Sequence, residues 1–221
     1  MTGARSLTTR VKTARGRTVS SQRWLQRQLN DPFVLQARQQ GWRARSVFKL
    51  EELDRRFALL RRGAAVIDLG AAPGSWTQYA VKRGCRVVAV DLLAIEPIAG
   101  AELIVGDFLD PTVQAELGRR LGGPAATVLS DMAAPATGQR NVDRLRAESL
   151  GENVLEFAAE CLAPGGACVV KLVKGSESKL LPRATQLFDN ARVVRPKATR
   201  ADSSEVFLVA RGRKHPKPAE G

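Results

Sequence analysis

From Gly63 onward, short apolar runs alternate with stretches whose apolar residues recur at helical spacing. The strand candidates are Ala65–Leu69, Arg86–Val90, Glu102–Val105, Ala126–Ser130, Ala167–Val173, Ala191–Val194 and Glu205–Ala210. Helical runs lie between several of them, at Ser75–Arg83, Pro111–Leu121, Val142–Cys161 and Glu177–Phe188. Strands alternating with helices predict an α/β fold with a doubly wound, mostly parallel sheet. The last two strands are joined by a Pro-containing loop and are expected to form an antiparallel hairpin at the sheet edge. Before Gly63 the pattern is helical. Asp31-Pro32 reads as an N-cap followed by Pro at the first helical position, with Gly41 as the stop. A second helix is expected from Ser46, where Val47, Leu50, Leu53 and Phe57 repeat at helical spacing, although the capping-box position holds Lys49 instead of Glu.

Charge divides the chain in the same places. Residues 1–62 hold 15 Lys+Arg against four acids, residues 63–210 hold 16 against 17, and residues 211–221 hold four against one. A nearly neutral middle with basic flanks suggests a polyanionic partner, nucleic acid first and an acidic membrane surface second. The expected organisation is a flexible basic tail (1–20), a basic helical RNA-binding segment packed on the core (21–62), a catalytic domain (63–211) and a basic C-terminal tail (212–221). No apolar run is long enough for a membrane span or a secretory signal, though the Arg- and Ser/Thr-rich, acid-free start could imitate a mitochondrial transit peptide. Cys85, Cys161 and Cys168 form no C-x-x-C and are odd in number, so they read as small core residues in a reducing compartment. The single His215 has no partnering cysteines, and no metal site is expected.

The candidate chemistry begins at Asp68-Leu69-Gly70-Ala71-Ala72-Pro73-Gly74-Ser75-Trp76, between the first strand and the helix that follows it. A doubly wound sheet binds its ligand there. Gly70 and Gly74 permit a sharp turn and close approach. The stretch is not G-x-G-x-x-G, and Pro73 removes a donor that wrapping a pyrophosphate would use. A nucleoside cofactor without phosphates, such as S-adenosylmethionine, fits better. Asp91, 21 residues after Gly70, stands where an acid accepts from ribose hydroxyls, and Asp107 where one accepts from an adenine amino group beside Phe108. A nicotinamide-dependent oxidoreductase shares the same plan and remains open on these residues alone, as does an RNA-binding or ribosome-assembly factor without activity.

Seven ordered stretches narrow the choice: RARSVFKLEELD (43–54), VIDLGAAPGSWTQYA (66–80), VVAVDLL (87–93), VGDF (105–108), LSDMAAPATG (129–138), PGGACVVKLVKG (164–175) and KATRADSSEVFLVARG (197–212). Together they resemble the FtsJ/RrmJ-type ribose 2′-O-methyltransferases from about Trp24 to Gly212. The resemblance implies a Rossmann-like class I S-adenosylmethionine-dependent methyltransferase fold and a catalytic Lys-Asp-Lys-Glu set at Lys49, Asp131, Lys171 and Glu205. It implies cofactor contacts at Gly74, Trp76, Asp91, Asp107 and Asp131. It further implies ribosomal RNA as substrate, most closely a uridine of 23S rRNA within the large ribosomal subunit, with transfer RNA as the alternative, and a cytoplasmic monomer. DMAAPATG is one residue longer than the family's usual loop, and Phe207 stands where a Tyr is frequent. A phenolic hydroxyl at that place is therefore expected to be dispensable.

These residue types suit the implied reaction. A ribose hydroxyl is a weak acid, so attack on a methyl group needs in-line positioning and removal of a proton. Lys171 lies within the apolar run Ala167–Val173, where burial and a second ammonium from Lys49 favour the neutral amine that a base requires. Asp131 is expected to hold the hydroxyl or Lys171 in line, Lys49 to supply positive charge near phosphate or alkoxide, and Glu205 to position a lysine.

Overall fold

The computed structural model describes Thr18 and residues 29–214 other than Ala136. The tail expected over residues 1–20 lies outside the described residues except for Thr18, as do His215 and the rest of the chain beyond Lys214. The elements run α1 (Pro32–Gln39), α2 (Val47–Phe57), β1 (Ala65–Leu69), α3 (Ser75–Lys82), β2 (Arg86–Asp91), β3 (Ala101–Val105), α4 (Pro111–Leu121), β4 (Ala125–Ser130), α5 (Arg140–Cys161), β5 (Leu162–Val173), α6 (Glu177–Leu187), β6 (Phe188–Val194) and β7 (Glu205–Arg213). One sheet holds all seven strands in the order β3-β2-β1-β4-β5-β7-β6. Strands β1 to β5 pair in parallel and β7 is antiparallel to both its neighbours. The closing hairpin forms at the edge as expected, with β7 inside and β6 outermost. No described helix is long and apolar enough to cross a membrane.

Alternation along the strands sends side chains to two separate cores. Ile67, Leu69, Val128, Val170 and Leu208 pack with Leu117 and Leu121 of α4, Val154 and Leu155 of α5, and Leu180 of α6. Val66, Leu129, Val169, Phe207 and Val209 face the other way, against Leu50 and Leu53 of α2 and Trp76 and Ala80 of α3. The second core fixes the helix that carries Lys49. Asp54, one turn before the end of α2, is buried and accepts from Leu60 N (2.8 Å) and Tyr79 Oη (3.1 Å), with Arg83 Nε 3.1 Å away. Helix α2 is thus held against α3 by a polar hub as well as by apolar packing.

Several boundaries depart from the sequence pattern. Strand β5 starts at Leu162, five residues early, because Leu162 pairs with Ala125 across a register shift that absorbs the turn-like Pro164-Gly165-Gly166. Strands β6 and β7 extend through Asp189, Asn190, Arg211 and Gly212, where the polar side chains of the first three and the bare glycine sit on an edge pair that needs little apolar alternation. Ser46 precedes α2 without a side-chain capping bond. Its Oγ meets Ser75 Oγ at 2.8 Å instead, joining the start of α2 to the start of α3.

Candidate active site

Period-two alternation places the expected catalytic residues on one face of adjacent strands. Val66 and Leu129 lie on the α2/α3 face, so Asp68, two residues on, and Asp131, just past β4, project the same way. Val169 puts Lys171 there, and Phe207 puts Glu205 there, with Lys171 directly opposite Phe207 in the β5–β7 ladder. Lys49 descends onto this row from α2.

The four residues form two pairs. Lys171 Nζ donates to the main-chain oxygen of Asp131 and lies 3.1 Å from its Oδ1. Lys49 Nζ donates to Glu205 Oε2 at 2.7 Å and stands 5.5 Å above the centre of the Phe207 ring. Burial works to raise the Glu205 pKa, but the charge and hydrogen bond of Lys49, aided by Lys171, outweigh it and hold the carboxyl below its ordinary value. Glu205 therefore orients Lys49, and Asp131 orients Lys171. Phe207 is fully buried with its ring 5.8 Å from that of Trp76, so the position serves as an apolar seat for an ammonium.

A cleft of about 600 Å³ opens beside the pairs, at the carboxyl ends of β1, β2, β3 and β4, where the strand order reverses. Its walls include Gly70, Ala72, Asp91, Asp107, Phe108, Met132 and Asp131, so Asp131 belongs to both the cleft and the row of expected catalytic residues. Every N–H of the 70–74 loop has an internal acceptor. Gly70 and Ala71 donate to Val90 O, Ala72 to Asp91 Oδ2, and Gly74 to Ala71 O, while Pro73 has none to give. Such a loop has no donors free to cradle a pyrophosphate. By contrast, Asp131 Oδ1 is buried at the cleft wall and meets the Lys171 ammonium as an ion pair at 3.1 Å without a hydrogen bond, so it keeps acceptor capacity. Asp91 accepts from Ala72 N and Leu93 N on different oxygens, and Asp107 Oδ1 accepts from Leu109 N. A carboxylate has about four lone-pair sites, which leaves both residues capacity for a ligand. These features fit a phosphate-free nucleoside cofactor.

Gly74 and Trp76 are not among the residues lining the cleft. Trp76 is buried and its Nε1 donates to Ser46 O at 2.9 Å, tying α3 to the segment before α2.

The chain matches the FtsJ-like methyltransferase family over residues 42–213. It belongs to that family. It is 51% identical over 211 residues to a Gluconobacter oxydans protein named ribosomal RNA large subunit methyltransferase E, covering 95% of this chain and 79% of the relative. A protein of the same name from Granulibacter bethesdensis is 52% identical over 213 residues, covering 96% and 93%. Among solved structures, a Plasmodium falciparum protein described as a ribosomal RNA methyltransferase superposes with a TM-score of 0.70 at 25% identity, over 78% of this chain and 98% of that one. This chain is thus an FtsJ-like methyltransferase with the family's α/β sheet.

Two features of this methyltransferase were not visible in its sequence. The first is a cluster of long-range partners beside Glu205. Asp31 Oδ2 lies 3.0 Å from Arg45 Nη1 and 3.1 Å from Arg200 Nε, so one acid serves two arginines. Arg45 Nη2 donates to Ala198 O, while Arg45 Nε, Arg200 Nη2 and Thr199 Oγ1 are buried without a hydrogen-bond partner. Burial lowers the Arg45 pKa against the pull of Asp31, and Glu205 acts on it electrostatically. The residues lie up to 169 positions apart, beyond the reach of any local spacing rule.

The second is Asp68. It is fully buried, accepts from Thr77 Oγ1 at 2.6 Å, and leaves Oδ1 without a hydrogen-bond partner. Burial, opposed by the Thr77 bond and reinforced by the charges of Asp131 and Asp91, raises its pKa to about 7. The folded protein therefore keeps a proton that the unfolded chain releases near pH 4, and this group's contribution to stability falls as pH rises from about 4 to about 7. Asp68→Asn removes that slope. Its melting temperature relative to wild type is expected to be higher at pH 8 than at pH 4.5, and parallel wild-type and variant curves across that range would count against the assignment.

Proposed function

We propose that this methyltransferase transfers the methyl group of S-adenosylmethionine to a ribose 2′-hydroxyl of RNA, on a uridine of 23S rRNA in the large ribosomal subunit. The observation that carries the reading is the double membership of Asp131, which lines the cofactor cleft and holds Lys171. The names of the bacterial relatives support the ribosomal substrate. Asp91 and Asp107 have the lone pairs to take the ribose and adenine donors of the cofactor, between apolar walls that include Leu92, Leu93 and Phe108. The committed N–H groups of the 70–74 loop weigh against a nicotinamide dinucleotide.

When bound, S-adenosylmethionine supplies a methyl group on a sulfonium, whose thioether leaves readily. The protein's share is orientation and proton removal. Lys171, fixed by Asp131 and flanked by Val170 and Leu172, accepts the hydroxyl proton once its amine is neutral. Lys49, held in place by Glu205, stabilises the developing alkoxide or the adjoining phosphate.

The test is transfer of labelled methyl from S-adenosylmethionine to large subunits prepared from cells lacking this gene, followed by mapping of 2′-O-methylated nucleotides. Label is expected at one uridine of 23S rRNA. Label confined to transfer RNA, or no transfer to any RNA, would overturn the reading.

A further inference from the structure

Arg43, in the link between α1 and α2, looks in sequence like one more cation of an RNA-binding platform. Its contacts are internal. Nη1 donates to Pro73 O at 3.1 Å and to Glu96 O at 2.7 Å, and Nη2 donates to Pro97 O at 2.9 Å. Its own main-chain N–H donates to Gln78 Oε1 on α3 at 2.9 Å. One guanidinium fork thus joins two segments of different origin, the 70–74 loop and the stretch after β2, which follows Asp91 and begins with Leu92 and Leu93 at the cleft. Those segments already meet at their inner ends, where Asp91 accepts from both Ala72 N and Leu93 N. Arg43 closes the outer end.

Gly74 belongs to the same device. Its φ is +103°, and a Cβ there would stand 2.7 Å from Ile98 Cδ1, 3.0 Å from Arg43 Nη1 and 3.2 Å from Ile95 Cγ2. Glycine at 74 lets the post-β2 stretch and the guanidinium close over the loop. This accounts for Gly74 through packing around Arg43, although it does not line the cleft.

We propose that Arg43 is a positioning residue for the cofactor cleft, a strap through which the segment carrying Lys49 holds both rims of the cleft at their working separation. This rests on the S-adenosylmethionine reading above. Arginine is required because two segments must be reached by one rigid planar fork, whereas a lysine ammonium is a single point donor on a flexible stem. The chemistry-bearing Lys171 and Asp131 are not touched by the strap.

The experiment is calorimetric titration of the full chain with S-adenosylmethionine in the absence of RNA, for wild type, Arg43→Ala and Arg43→Lys, alongside kinetics with RNA substrate. Loss of several hydrogen bonds from a charged donor is expected to weaken cofactor binding about ten-fold in Arg43→Ala. Arg43→Lys should recover only part of it. KM for the cofactor should rise in step, with kcat at saturating cofactor within about two-fold of wild type. Should Arg43→Ala fail to fold, Arg43→Lys decides by the same readout. Wild-type cofactor affinity in the variants, with weaker RNA binding, would make Arg43 an RNA contact and overturn the proposal. A wild-type protein that binds no S-adenosylmethionine would instead sink the functional reading on which it rests.

Discussion

Lys171→Arg is expected to lower methyl transfer about a thousand-fold while cofactor affinity stays within about two-fold of wild type. The substitution separates the two things a lysine offers. Arginine keeps a cation beside Asp131, so the carboxylate is not left buried and unpaired, but a guanidinium does not give up its proton in a protein. If Lys171 acts as a base, Lys171→Arg should be about as inactive as Lys171→Ala. If it acts only as a cation, Lys171→Arg should retain a substantial rate and Lys171→Ala should not. Single-turnover transfer at saturating cofactor and RNA reads the chemical step without product release, and a titration with cofactor alone supplies the second number. A Lys171→Arg rate near wild type would remove Lys171 from the role of proton acceptor.

How much of this was legible before the structure depends on how locally each residue is determined. The row Asp131, Lys171 and Glu205 follows from alternation along strands that are themselves marked by apolar runs, so family motifs and period-two reasoning arrive at the same face. The start of α1 was legible because Asp31-Pro32 carries its cap in the sequence, and Asp31 accepts from an N–H of the first turn. The partition of the four candidate catalytic residues into Lys171–Asp131 and Lys49–Glu205 was only half legible, since Asp131 was expected to hold either the hydroxyl or Lys171, and Glu205 could have served either lysine. Trp76 was the opposite case. Its place in the loop motif suggested the ligand, while its indole N–H and ring face Ser46 O and Phe207 in the core beneath. The basic count of the first 62 residues also overstated the free charge, because Arg43, Arg45 and Arg56 are engaged with carbonyls, Asp31 or Glu52. Net charge records how many cations a segment has and says nothing about which of them remain available to a partner.

Lys49→Met is expected to cost both activity and stability, and a second change at Glu205 is expected to return only the stability. In the folded protein Lys49 is buried beneath α2, and its partner Glu205 has a side chain about one-third exposed. Removing the lysine strands a carboxylate that burial disfavours, for which a loss of about 2 kcal/mol is reasonable given that water reaches part of Glu205. In Lys49→Met/Glu205→Gln neither charge remains, so most of that loss should disappear, and the coupling between the two changes in thermal or urea melts measures it. The pH matters here. Since Glu205 sits below the ordinary carboxylate value, the pair contributes fully at neutral pH and is lost only as pH falls through that lowered value, so the cycle belongs at pH 7. Methyl transfer should follow a different rule. If the charge of Lys49 acts on the developing alkoxide or its neighbouring phosphate, both Lys49→Met and the double variant should be slower by about a hundred-fold, whatever their melting temperatures. Recovery of activity along with stability in the double variant would show that Lys49 serves the fold alone. Glu205→Gln should then be the mildest of the three in rate, because it leaves the ammonium over the Phe207 ring and removes only the group that aims it.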